Sequence, residues 1–218
     1  MADVIPYYDQ NGITIYHGDC RDILPTLEPA DLVLTDPPYG IDYKAGDSSQ
    51  RGIQAHARIA GDSTPFDPEH VLTFPDVICW GANNYARRLP EHEGQFYCWD
   101  KVCQNDMKVR IAECEYAWHK QGTKPRVYRH LWSGAYRASE AGQRSLHPSQ
   151  KPIALMSWCL KLAGDVTSMV DPYMGVGTSL VAAKLAGIKA VGIELEEKYC
   201  EIAASRLSQQ VLQLEGAT

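Results

Sequence analysis

Short apolar runs punctuated by glycine, proline and acids set the rhythm of this chain. Ile13–Tyr16, Leu32–Leu34, Val77–Trp80, Met169–Val170 and Ala190–Ile193 are each too brief for a helix and rich in β-branched residues. They read as buried strands over Ile13–Tyr16, Asp31–Thr35, Asp76–Trp80, Met169–Pro172 and Ala190–Ile193. Between and after them lie segments of helical period. The clearest runs from Pro152 to Ala163, where Ile153, Met156, Leu160 and Ala163 mark one face, Pro152 suits the first turn and Ser149 is a candidate cap. Further helices are expected near Asp22–Leu27, after Trp80 toward Leu89, over Thr178–Leu185 and over Lys198–Leu214. Gln95–Trp99 and Glu113–His119 read as two more strands, a hairpin pair at one sheet edge. Strands alternating with helices imply an α/β fold with a mostly parallel sheet and an antiparallel edge, in a single domain spanning residues 1–218. No repeat or low-complexity tract interrupts it. Residues 44–68 are polar and aperiodic, a long loop of the sort that compact domains keep for function.

Composition narrows the picture. No apolar run approaches the ~20 residues that span a bilayer, and the start MADVIPYYDQNG has no secretory pattern, so a cytoplasmic location is expected. The seven cysteines form no C-x-x-C pair and read as reduced, mainly buried thiols, with no metal site. The net charge of −6 argues against a nucleic-acid partner until the charges are located. Between Lys120 and Lys151 stand seven lysines and arginines against one acid, Glu140. A basic segment on an acidic body is a footprint for phosphate, although scattered cations on a solvated loop would look the same.

Two strand ends carry chemistry. After Leu32–Leu34 the chain continues TDPPYG. Pro37 and Pro38 stiffen the turn and leave carbonyls free, and Asp36 and Tyr39 sit where open α/β sheets bind ligands. Taken alone, the four residues are equally compatible with a rigid turn. After Met169–Val170 comes DPYMGVGT, a helix, a strand and then Glu194. Glycines at a strand–helix junction let a ligand approach the backbone, and an acid on the next strand suits ribose hydroxyls. The dinucleotide fingerprint fails because position 180 is Leu180, and no G-K-[ST] follows to make a P-loop.

Together these segments resemble the amino-methylating DNA methyltransferases in their beta-class order of motifs, over most of the chain. Asp36-Pro37-Pro38-Tyr39 matches that family's catalytic D-P-P-Y, and Asp171-Pro172-Tyr173-Met174-Gly175-Val176-Gly177-Thr178 resembles its cofactor loop. His147-Pro148-Ser149-Gln150-Lys151-Pro152 is similar to the element that precedes that loop, and Gly18-Asp19-Cys20 to the segment beside the cofactor's adenine. The catalytic motif comes first and the cofactor loop last. The resemblance therefore implies a circularly permuted, Rossmann-like S-adenosylmethionine-dependent methyltransferase fold.

It further implies catalysis by Asp36, Pro37, Pro38 and Tyr39, with S-adenosylmethionine bound by Asp19, Cys20, Asp36, Ser149, Lys151, Asp171, Tyr173, Met174, Gly175, Gly177, Thr178 and Glu194. Asp36 and the Pro37 carbonyl would accept the two hydrogens of a base amino group, and Tyr39 would stack on a base flipped from duplex DNA. Tyr43, Trp80 and Asn83 are further candidates for this pocket, although a residue like Trp80 is more often simply core. Lys44, with Arg51 and Arg58, suits a loop closing over that base, and Lys124, Arg126, Arg129, Arg137 and Arg144 suit DNA phosphates. The basic stretch of about 120–147 is short for a target-recognition region, which implies a short or relaxed target. Asp36 in place of the Ser that the family's cytosine enzymes more often carry favours adenine N6 over cytosine N4, with an RNA methyltransferase or an inactive nucleic-acid-binding relative as weaker alternatives. The resemblance also suggests a homodimer.

Overall fold

The computed structural model describes residues 4–40, 61–103, 112–133, 136–143, 145–147 and 149–215. In chain order the elements are β1 (Tyr8–Gln10), β2 (Ile13–His17), α1 (Cys20–Ile23), β3 (Leu32–Thr35), α2 (Glu69–Leu72), β4 (Asp76–Trp80), β5 (Gln95–Asp100), β6 (Cys114–His119), β7 (Arg126–Arg129), β8 (Trp132–Ser133), β9 (Tyr136–Arg137), α3 (Ile153–Ala163), β10 (Ser168–Asp171), α4 (Thr178–Ala186), β11 (Lys189–Glu194) and α5 (Glu197–Glu215). Nine strands form one sheet in the order β1-β2-β11-β10-β3-β4-β6-β5-β7, and β8 pairs with β9 separately. The five strands from β2 to β4 are mutually parallel.

The central strands are buried on both faces, which explains why they read as unbroken apolar runs. Leu32 and Leu34 of β3, with Ile78 and Trp80 of β4, face a core shared with α3, α4 and α5. The alternate residues Val33, Val77 and Cys79 face Phe66, Val71, Tyr85 and Leu89 on the other side. Trp80 belongs to the first core: it is fully buried, edge-on to Trp99 at 6.2 Å between ring centres. That is the core role its sequence position also allowed.

The expected edge hairpin is arranged differently. β5 and β6 do pair antiparallel, but β6 is inserted between β4 and β5, and β7 adds beyond β5 in parallel. The stretch that carried no clean period thus supplies the true edge strand. Its alternation is hidden because Arg126, Val127 and Arg129 are all exposed, leaving only Tyr128 to pack. At the far edge, β1 adds an antiparallel strand to β2.

After β4, two short 3-10 turns, Ala82–Asn84 and Ala86–Arg88, replace the expected helix. Ser149 is not the cap of α3. The cap position is Pro152, and the first helical N–H, of Ile153, is taken by the Glu140 carboxylate at 3.0 Å. An acid there also suits the positive end of the helix dipole. Lys120 is likewise structural: its ammonium donates to the carbonyls of Leu72 and Phe74 at 2.9 and 2.7 Å, closing the carboxyl end of α2. All seven cysteines are free thiols, with Cys20, Cys79, Cys159 and Cys200 buried. Among the described residues no helix is long and apolar enough to cross a membrane.

Candidate active site

Four loops that are scattered along the chain meet because their strands are neighbours. β2, β11, β10 and β3 lie side by side and parallel, so their carboxyl ends share one edge of the sheet. His17 pairs with Glu194, so Gly18 and Asp19 emerge beside that acid. Asp171 pairs with Gly192, and Thr35, which precedes Asp36, lies on the other side of β10. This edge is where open α/β sheets bind ligands.

The glycine turn is built by side chains that face inward. The buried Asp171 carboxylate accepts from the Thr35 hydroxyl at 2.7 Å, from the Tyr173 N–H at 3.1 Å and from the Ser179 hydroxyl. Burial pushes its carboxyl up to about 6, against the lowering effect of those bonds. Asp171 therefore shapes the turn and ties it to β3, a different role from the ligand contact implied by resemblance. Met174 is also turned away: its sulfur fills the space over Gly192, where a Cβ would come within 2.4 Å of it. Cys20 and Thr178 are buried, and Asp19 caps α1 by accepting from Arg21 N at 2.9 Å.

At this edge the glycine turn is bare backbone beside one acid. Gly175 and Gly177 have φ of 51° and 73°, which glycine adopts at low cost. A Cβ on Gly175 would meet nothing closer than His147 at 4.0 Å, so the turn is bare there, whereas one on Gly177 would strike Ala203 at 2.9 Å. The Glu194 carboxylate accepts from the N–H groups of Gly175 and Glu196, at 3.1 and 2.7 Å. Burial pushes its carboxyl above the ordinary range, and those two N–H groups oppose the rise. Behind the turn, Arg206 of α5 donates to the Val176 carbonyl and, at 3.3 Å, to Thr178 Oγ1. Tyr173 reaches across to His70, hydroxyl to Nε2 at 3.0 Å.

The second half of the site surrounds Asp36. Pro37 is buried, and Asp36, Pro38 and Tyr39 are half-buried. The Tyr39 hydroxyl donates to one oxygen of Asp36, and its ring lies on Gly81, where any side chain would overlap it. Gly40 N donates to Asp62 at 2.8 Å, holding the end of the turn. The other oxygen of Asp36 receives the ammonium of Lys151. That ammonium also lies 3.0 Å from Glu115, which in turn receives Lys101 at 2.6 Å. Resemblance implied a cofactor contact for Lys151; here its ammonium is turned to Asp36 in the two-proline turn. Burial disfavours the Asp36 anion and raises its carboxyl above the usual range, with Lys151 opposing and Glu115 reinforcing the rise. Glu115 is also opposed by burial, but its two lysines hold it down at about 2.

Glu115 and Lys101 were not among the residues singled out from sequence. Their signal was parity: Glu115 occupies the alternation of Ala117 and His119, which points into the core. An acid at such a position needs a cation.

The other candidates spread outward. Ser149 is exposed, its N–H 3.2 Å and its hydroxyl 3.0 Å from His147 Nδ1, and the His147 ring meets Tyr199 edge-on at 4.7 Å. Lys124, Arg126 and Arg129 are exposed, and Arg129 lies 3.7 Å from Asp100. Arg137 lies over the Trp132 ring at 4.2 Å. Asn83 is exposed on the turn after β4. Tyr43, Lys44, Arg51, Arg58 and Arg144 lie outside the described residues.

Residues 67–205 match the family model for the N6/N4 DNA methylases. The type II methyltransferase M.HinfI of Haemophilus influenzae is 30% identical, over 90% of this chain and 68% of its own. M2.DpnII of Streptococcus pneumoniae is 24% identical over 94% and 93%. Among solved structures, an M1.HpyAVI–SAM complex superposes with a TM-score of 0.54 at 22% identity, covering 89% of this chain and 99% of that one. The cytosine-N4-specific PvuII DNA methyltransferase superposes with a TM-score of 0.60 at 15% identity, covering 91% and 87%. The fold is that of the DNA methyltransferases. The chain belongs to the N6/N4 DNA methylase family.

The raised carboxyl of Asp171 has a measurable consequence. Its ordinary value is 3.8, so folding takes up a proton between there and about 6. The Asp171 contribution to stability is therefore largest below pH ~4, declines as pH rises to ~6 and stays lower above, by roughly 2–3 kcal/mol. Urea midpoints of the wild type should fall through this window relative to those of Asp171→Asn; parallel curves would show that Asp171 is not the group responsible.

Proposed function

We propose that this protein transfers a methyl group from S-adenosylmethionine to the N6 amino group of adenine in duplex DNA, with the target base flipped out. The observation that carries the reading is the placement of Asp36: it heads a two-proline turn and is tied, through the Thr35–Asp171 bond, to the glycine turn beside it. A methyl donor and an amino acceptor would thus share one cleft.

The cofactor fits the residues present. The bare backbone at Gly175 leaves room for a ligand, and Glu194 offers a carboxylate to ribose hydroxyls. Gly177, Asp19, Ser149 and Tyr173 are the further residues that the resemblance would add to the set holding it. When bound, the cofactor supplies a methyl group made electrophilic by its sulfonium, so no metal is required of the protein.

The chain's own part is to prepare the nucleophile. An exocyclic amine is weakly nucleophilic because its lone pair is delocalised into the ring. Asp36 and the Pro37 carbonyl can each accept one of its hydrogens, favouring the rehybridised nitrogen and directing its lone pair toward the methyl group. The prolines make this acceptor pair stiff, so little reorganisation is needed on the way to the transition state. Asp36, its carboxyl raised by burial, is also the nearest acceptor for the proton that the nitrogen sheds. Tyr39 offers an aromatic surface to the extruded base.

DNA would lie across the sheet edge toward β7. From β3 to β7 there are four strand spacings, about 19 Å, or about five to six base pairs of duplex. Lys124, Arg126 and Arg129 on that side, with Arg137 on the β8–β9 hairpin, suit phosphates better than base edges. A short or relaxed target follows. Cytosine N4 is the second reading, favoured by the cytosine-N4-specific PvuII enzyme among the structural neighbours. Asp36 at the head of the catalytic turn supports adenine.

Labelled methyl transfer to unmethylated DNA, followed by nucleoside analysis, should yield N6-methyladenine, and Asp36→Ala should abolish it while cofactor affinity changes less than about threefold. Methylated cytosine without methyladenine would refute the choice of base, and transfer by Asp36→Ala would refute the catalytic assignment. Methylome sequencing of an expressing host should show short or degenerate sites, whereas one motif of about six specified bases would contradict the recognition argument.

A further inference from the structure

Asp36, Lys151, Glu115 and Lys101 form a line of alternating charge drawn from four separate segments: the turn after β3, the loop before α3, strand β6 and the end of β5. All four side chains are shielded, with exposures of 13%, 6%, 25% and 12% in that order. Burying four charges is expensive, and a stabilising core would not require them. The arrangement of protons says what they do. A lysine ammonium has three, and those of Lys151 are matched by Asp36, by Glu115 at 3.0 Å and by the Tyr39 hydroxyl at 3.4 Å. Glu115 thus competes with Asp36 for the same cation, and Lys101 limits how strongly it does so.

Resting on the reading of Asp36 as acceptor for the target amino group, we propose that Glu115 and Lys101 are positioning residues for catalysis. They share Lys151 with Asp36 and so decide how much of the Asp36 carboxylate stays available to the base. Without Glu115, Lys151 pairs with Asp36 alone and neutralises the acceptor more fully. Without Lys101, Glu115 draws Lys151 away and leaves Asp36 a poorly compensated buried anion. The two losses push Asp36 in opposite directions, which simple damage to packing would not do. Facing Asp36 are Lys151, Glu115 and Tyr39, while Asp171, Cys79 and Tyr85 sense its charge from beneath. Only Glu115 and Lys101 among the members of the charge line lie outside the two recognised loops, so they can be changed without altering either.

The test is the pH dependence of single-turnover methyl transfer, with cofactor and DNA saturating, for the wild type, Glu115→Gln and Lys101→Met. In Glu115→Gln the rate at neutral pH should fall about tenfold with cofactor affinity retained, and the acidic limb should move to lower pH by about half a unit. In Lys101→Met the limb should move the other way, and Glu115→Asp should recover part of the wild-type rate. Coincident limbs in the folded variants, or shifts of the same sign, would overturn the proposal. Should Glu115→Gln fail to fold, Lys101→Met decides alone: its limb must rise. A wild type that methylates no DNA base would instead refute the functional reading beneath the proposal, a separate result from an active wild type whose variants show no shift.

Discussion

A single buried hydrogen bond, from the Thr35 hydroxyl to Asp171, joins two strand ends that lie 136 residues apart in the chain. Everything the cleft can do depends on that juncture. On one side of it the chain continues into Asp36 and the proline pair; on the other it turns through Gly175 and Gly177 into α4. Asp171 pays for its burial with three donors, and its raised carboxyl records how dry the juncture is. A bond of this kind is worth little in net stability, but leaving either partner unmatched in the core would be costly. The strand ends are accordingly held in one register, and the two halves of the site keep a fixed relation. Methyl transfer between two bound molecules demands that, since misplacement by about 1 Å is enough to lose much of the rate.

The rest of the site works by managing charge in a shielded place. On the proposed reading Asp36 must remain an anion to accept from an amine, yet burial disfavours the anion. In the proposed mechanism Lys151 supplies compensation, and the Glu115–Lys101 pair keeps that compensation from becoming capture. The polar network is therefore a property of the tertiary fold: its members come together only when β6 is threaded between β4 and β5. The inserted antiparallel strand, which departs from the expected edge hairpin, is what carries Glu115 to within reach of Lys151.

Much of this was legible along the chain. The buried strands announced themselves as short apolar runs, and the two strand-end motifs stood where a parallel sheet must bring them together. Glycines 175 and 177 and the acid Glu194 had a physical reason to occur in that order. What the sequence could not convey was direction. Asp171, Met174 and Cys20 belong to the matched motifs, yet their side chains turn inward and build the site's walls. Strand β7 escaped notice because an edge strand with one half-buried residue has no alternation to read. Glu115 and Lys101 escaped because the inward parity of Glu115 says only that it needs a cation, and the partner is brought to it across the sheet. Lys120 illustrates the converse, a cation counted with the basic segment whose ammonium is spent on two backbone carbonyls.

The central claim is that loops following β2, β3, β10 and β11 act as one ligand site. Hydrogen exchange, measured with and without S-adenosylmethionine, tests it most directly. Binding should slow exchange together in Gly18–Cys20, in Tyr39–Gly40, in Tyr173–Thr178 and in Glu194–Glu196, with β7 and the β8–β9 hairpin unchanged until DNA is added. Protection confined to the basic edge, or absent from the glycine turn, would contradict the account.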